Sequence, residues 1–135
     1  MAKAVIALGT NLGERKKNIE NAVEAVKKLG DVKILKISSV IETEPWGVEN
    51  QPMFLNCCIL IETTLPPLML LGECLGIEAA MGRVRGMRYG PRVIDLDLIT
   101  YEGVTMNTKE LTLPHPRAKE RDFVMIPLKE LEVTI

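Results

Sequence analysis

The run RVIDLDLITY, residues 92–101, sets two carboxylates inside the most apolar strand this chain can form. Val93, Ile94, Leu96, Leu98 and Ile99 read as a buried β-strand, with Asp95 and Asp97 in its middle. Side chains alternate along a strand, so the two aspartates share one face while Ile94, Leu96 and Leu98 take the other. Their Cα atoms are then about 6.6 Å apart, close enough for both carboxylates to reach one or two cations. Burying two unpaired carboxylates costs several kcal/mol, and a bound divalent cation removes that cost. All-oxygen ligation of this kind suits Mg²⁺, which keeps waters and completes its shell with substrate phosphates. The plainer alternative is an open sheet face on which both aspartates meet solvent.

The rest of the chain supplies a sheet for that strand. Residues 2–9 read as strand one, ending in Gly9. Residues 14–30 carry Ile19, Ala22, Val23, Val26 and Leu29 at spacings of three and four, an amphipathic helix stopped by Gly30. Residues 31–45 read as strand two and 53–64 as strand three, with the polar loop 46–52 between them. Residues 65–82 read as a second helix with Pro66 or Pro67 in its first turn. The order β-α-β-β-α-β predicts a split βαβ fold of the mixed α/β (α+β) class, with helices packed on one face of the sheet. The tail adds a turn near Gly103, a short extended piece at 109–113 and a partly helical segment from Ala118.

A chain of 135 residues, 47% apolar and 26% charged, suits one domain spanning 1–135 with a core that needs no staples. Net charge is −1, so no bulk field draws it to nucleic acid or to a membrane surface. Cys57, Cys58 and Cys74 are odd in number, lack metal-ligand spacing and read as reduced core thiols of a cytosolic protein. The opening MAKAVIALGTN is expected to be neither signal peptide nor anchor.

Charge clusters beside the aspartates. Arg83, Arg85, Arg88 and Arg92 fall in one stretch without an acid, and Arg117, Lys119 and Arg121 follow near His115, the chain's single histidine. Arginine forks beside a carboxylate pair are parts for triphosphate chemistry, where catalysis is positioning plus charge neutralisation. The chain has no G-x-x-x-x-G-K-[ST], and GTNLG after strand one is not G-x-G-x-x-G. That turn reads most simply as the start of a helix. Thr43, Pro45 and Trp46, with Phe54 and Asn56 two apart on strand three, and Tyr89 and Phe123, form a second set. Two aromatics with an amide between can sandwich a flat heterocycle and read its edge. Either phenylalanine can equally be core.

The segments GRVR…RYGPRVIDLDLITY and LTLPHPRAKERDFVMIPL, with ALGTNLGERKKNIENAV, TEPWG and QPMFLNC, resemble the 6-hydroxymethyl-7,8-dihydropterin pyrophosphokinase family over residues 4–131. The resemblance implies a ferredoxin-like fold and transfer of pyrophosphate from ATP to the pterin, releasing AMP. It implies that Asp95 and Asp97 hold two Mg²⁺ ions and that Arg83 and Arg92 contact phosphates. It puts Glu78, Arg85, Arg92, Leu98, Thr112, His115 and Arg121 at the ATP site, and Thr43, Pro45, Trp46, Phe54, Asn56, Tyr89 and Phe123 in the pterin pocket. Against the family pattern, Glu110 replaces a basic residue beside Lys109, Leu75 replaces a glutamine and Tyr89 a tryptophan. Expected partners are the two small substrates alone, with no nucleic acid and no membrane, for a cytoplasmic monomer. Two alternatives stay open: a two-metal phosphodiesterase, and a ferredoxin-like nucleic-acid module, which the five aromatic residues poorly equip.

Overall fold

A computed structural model describes residues 1–45, 50–82 and 92–135. Strand β1 runs Ala2–Thr10, helix α1 Arg15–Lys27, β2 Val32–Ile37, β3 Ile41–Thr43 and β4 Phe54–Thr63. Helix α2 (Pro67–Ala80), β5 (Asp95–Tyr101), a small ladder of β6 (Met106–Asn107) with β7 (Thr112–Leu113), a 3₁₀ turn (Ala118–Glu120) and α3 (Asp122–Glu130) follow.

The main sheet has the order β2-β4-β1-β5, with β3 also paired to β4, and every pairing is antiparallel. This is the ferredoxin-like arrangement that β-α-β-β-α-β order predicts. The two central strands are apolar along their length because both of their faces are covered. Ala4, Ile6 and Leu8 of β1, with Cys57, Ile59 and Ile61 of β4, pack under α1 through Ile19, Ala22 and Val26 and under α2 through Leu70, Cys74 and Ile77. The alternate residues Val5, Ala7 and Cys58 face the opposite way, onto Val124, Leu128 and Leu131 of α3 and its exit. The tail therefore forms a second layer on the far face, more than the partly helical decoration expected there. Burial pushes the thiols of Cys57, Cys58 and Cys74 up to about 12 each, which leaves them as small apolar fillers.

Two departures from simple periodicity matter. The expected strand over 31–45 is two strands: the ladder stops at Ile37 and resumes at Ile41. Ser38 exchanges bonds with Cys58, its N–H donating to the Cys58 carbonyl and its Oγ accepting from the Cys58 N–H, both at 2.9 Å. Ser39 turns its N–H and hydroxyl to the Glu130 carboxylate of α3, which takes residues 38–40 out of the sheet. In β5, Ile6 faces Leu98 but Val5 faces Thr100, so Ile99 is the extra residue of a bulge. Its side chain joins the α3 layer, and its carbonyl accepts the His115 N–H at 2.7 Å. The extended piece expected at 109–113 narrows to Thr112–Leu113.

Candidate active site

Three adjacent strands bring the site together. Gly9 on β1 lies opposite Asn56 on β4 and opposite Asp95 on β5; Ala7 likewise lies between Cys58 and Asp97. Paired residues in an antiparallel ladder point the same way, so both aspartates and Asn56 stand on the α3 face. The middle strand offers only Gly9 and Ala7 there. That pair of small residues leaves a hollow in the sheet surface between the amide and the carboxylates. Sequence reasoning passed over both, because their meaning depends on register rather than on residue type.

A cavity of about 230 Å³ opens over this row, lined by Thr43, Phe54 and Asn56 on one side and Arg92, Asp95, Asp97 and His115 on the other. Arg121 and Phe123 close it from the start of α3, with the Arg121 guanidinium 5.5 Å from the centre of the Phe123 ring. The Asn56 amide donates to Thr43 Oγ1 at 2.6 Å, which fixes its donor end and turns its oxygen toward Gly9. A second cavity of about 310 Å³ lies between α2, the start of β5 and residues 108–116. Glu78, Leu98 and Thr112 line it, as do Leu75, Lys109 and Glu110. Asp95, Asp97 and His115 line both cavities, so the carboxylate pair is their shared wall.

The electrostatics of that wall are unbalanced. Burial first, and then the neighbouring Asp95, push the Asp97 carboxyl up to about 6, with Glu78 adding to the rise; Arg121 and Arg92 pull the other way without cancelling it. Arg92 reaches Asp95, Nη1 to Oδ2, at 3.3 Å. Glu78 is buried in α2 and accepts the backbone N–H of Leu96, between the aspartates, at 2.7 Å. His115 Nδ1 accepts the Arg117 N–H at 3.2 Å, and burial, then Arg121 and Arg117, hold its pKa down. The ring is thus a neutral imidazole with its proton on Nε2.

Among the described residues no three His, Cys, Asp or Glu side chains converge into a metal cage. A cation bound by two carboxylates and completed by substrate phosphates needs no such cage, and that is the usual habit of Mg²⁺. The under-compensated charge at Asp97 fits such an ion.

Of the residues singled out in the sequence, Thr43, Phe54, Asn56, Arg92, Asp95, Asp97, His115, Arg121 and Phe123 meet in the first cavity. Glu78, Leu98 and Thr112 sit in the second; Leu98, at 3% exposed, contributes wall more than reach. Arg92 and Arg121, expected at the ATP site, line the first cavity and not the second, so they stand on the far side of the carboxylates from Thr112. Pro45 is half-buried and lines neither. Trp46, Arg83, Arg85 and Tyr89 lie outside the described residues.

A ferredoxin-like sheet with a carboxylate wall shared by two cavities, and arginines beside it, suits an enzyme that moves phosphate groups between two substrates. A family model for 7,8-dihydro-6-hydroxymethylpterin-pyrophosphokinase (HPPK) matches residues 5–133, and the chain belongs to this family. The 2-amino-4-hydroxy-6-hydroxymethyldihydropteridine pyrophosphokinase of Methylorubrum extorquens is 43% identical over 97% of this chain and 83% of its own. The enzyme of the same name from Bacillus subtilis is 42% identical over 95% of this chain and 77% of its own. In fold, the chain is similar to the crystal structure of Plasmodium falciparum HPPK-DHPS, with a TM-score of 0.71 at 16% identity. That likeness covers 97% of this chain but only 40% of the larger one.

Proposed function

We propose that pyrophosphate transfer takes place where the two cavities meet, with the nucleotide's phosphates over Asp95 and Asp97 and the acceptor entering from the Asn56 side. As a member of its family, the chain is an ATP-dependent pyrophosphokinase of folate synthesis. It transfers pyrophosphate from ATP to 6-hydroxymethyl-7,8-dihydropterin, giving the pterin diphosphate and AMP. One observation carries the placing of the reaction: Asp95, Asp97 and His115 line both cavities, so groups bound in each meet over the same carboxylates.

Asp95 and Asp97 would hold two Mg²⁺ ions, which when bound neutralise phosphate charge and orient the transferred group. Arg92, already beside Asp95, meets the phosphate oxygens that the carboxylates alone would repel. Neutral His115 donates from Nε2 to the same anionic chain, and Arg121 supports it from the start of α3. Glu78, Leu98 and Thr112 wall the nucleotide side, and Lys109 supplies the cation that Glu110 does not. On the acceptor side Phe54 and Phe123 flank the pterin ring, while the fixed Asn56 amide and Thr43 read its edge. The family resemblance adds Arg83 and Arg85 at the phosphates and Pro45, Trp46 and Tyr89 at the pterin. Held this way, the acceptor oxygen forms a bond to the β-phosphorus as the bond from that phosphorus to the AMP oxygen breaks in line with it, and the hydroxyl proton is released to solvent.

Residues 1–135 act as one catalytic unit in this reading. In this reading the chain acts as a monomer. Three buried free thiols support a reducing, cytoplasmic setting. Among the described residues no helix is long and apolar enough to cross a membrane.

The test is incubation with ATP, Mg²⁺ and the hydroxymethyl pterin. AMP should appear only when all three are present. AMP or phosphate released without the pterin would favour a hydrolytic phosphodiesterase instead.

A further inference from the structure

The turn after β1 has no part in the chemistry so far, yet it holds a buried amide with unusual reach. Asn11 is 1% exposed. Its backbone N–H donates to the Arg92 carbonyl at 3.0 Å, and its Oδ1 accepts the Arg92 N–H at 2.8 Å. The same side chain's Nδ2 donates to Gln51 Oε1 at 2.9 Å and to the Pro52 carbonyl at 3.0 Å. Thr10 adds a second, longer donation to the Arg92 carbonyl at 3.4 Å. Residues 51–52 lead directly into Phe54 and Asn56, on the acceptor side. Arg92 leads directly into Asp95, on the phosphate side.

We propose that Asn11 is a positioning residue, which sets Arg92 against the carboxylates and ties that setting to the segment feeding the acceptor pocket. The inference rests on the reading of Arg92 given above. The residue type follows from the bonds. One side chain must accept from Arg92 and donate twice to residues 51–52, and an amide of this length does both. Aspartate keeps the acceptor and loses the donors; alanine keeps only the backbone bond to the Arg92 carbonyl. Displacing a group by about 1 Å from its working position is enough to cost on the order of 100-fold in rate.

Four proteins test this: Asn11→Ala, Asn11→Asp, Arg92→Ala and the Asn11→Ala/Arg92→Ala pair, each with kcat and acceptor KM measured. Asn11→Ala should lower kcat by about 10- to 100-fold and raise the acceptor KM. Asn11→Asp should recover part of kcat while the KM stays raised, because the acceptor toward Arg92 survives whereas a carboxylate oxygen now faces the Gln51 and Pro52 oxygens. That split keeps the test open should Asn11→Ala fold poorly. In the pair, kcat should fall little below Arg92→Ala alone, since Asn11 acts on turnover through Arg92. Full multiplication of the two losses, or an Asn11→Asp protein with neither parameter separated, would overturn the inference. An unchanged kcat in Arg92→Ala would instead overturn the reading of Arg92 and, with it, the turnover half of the proposal.

Discussion

The Glu78 carboxylate of α2 accepts the backbone N–H of Leu96 at 2.7 Å, at the residue that separates Asp95 from Asp97. A helix side chain therefore fixes the strand from below while its two aspartates face the site. Glu78→Ala leaves a buried N–H without this partner and should cost about 1–3 kcal/mol in urea unfolding. Glu78→Gln keeps an acceptor of the same length and should recover most of that. Equal losses in the two variants would show that the bond to Leu96 is not what the carboxylate contributes.

Asp97 sets a price in stability for function. Its carboxyl sits at about 6 in the fold against 3.8 for the free group, chiefly because burial disfavours the charge. Between those values the folded chain keeps a proton that the unfolded chain has released, so stability falls as pH rises from about 4 to about 6. The metal-free cost at pH 7 is on the order of 2–3 kcal/mol at roughly 1.4 kcal/mol per unit. Asp97→Asn should therefore be the more stable protein at pH 7 in a chelator, lose that advantage near pH 4, and lose turnover throughout. Unfolding curves at both pH values measure it; a difference that does not change with pH would contradict the account.

A methyl group at position 9 probes the hollow in the sheet. A Cβ there would stand 2.9 Å from Asn56 Oδ1, and the amide is pinned at its other end by the 2.6 Å bond to Thr43. Gly9→Ala should turn Asn56 away and raise the acceptor KM by about tenfold, with kcat at saturation little changed. Steady-state kinetics with varied pterin would show this, and an unaltered KM would remove Asn56 from acceptor recognition.

His115 is the chain's single histidine, so its titration can be followed without overlap. Burial and the two nearby arginines hold its pKa below the ordinary 6.5. The unfolded chain binds a proton that the folded site resists, so this group's contribution to stability is lost as pH falls through 6.5. The imidazole resonances should titrate with a midpoint below 6.5; a midpoint above it would mean a cation faces the phosphates rather than a neutral donor.

Much of this fold is legible because its periodicities are clean. The spacing of Ile19, Ala22 and Val26 makes α1 readable, and the alternation around Asp95 and Asp97 correctly puts both on the face away from Leu96 and Leu98. What escapes the sequence depends on pairing. Nothing in ISSVIET announces that Ser38 and Ser39 bond to Cys58 and Glu130 and break the strand. Nothing in DLITY marks Ile99 as the bulged residue whose carbonyl holds His115. The same holds at the site. Asp95, Asn56 and the aromatics advertise chemistry by type, whereas Gly9, Ala7 and Asn11 matter only for what lies across the ladder or the turn from them.

If Asp95 and Asp97 exist to bring Mg²⁺ under the nucleotide's phosphates, titration calorimetry with ATP reads that role most directly. With Mg²⁺ the wild-type chain should bind ATP at least about tenfold more tightly than in a chelator, a difference of 1.4 kcal/mol, and Asp95→Asn/Asp97→Asn should lose that difference. Equal affinity with and without the cation in the wild-type chain would contradict it.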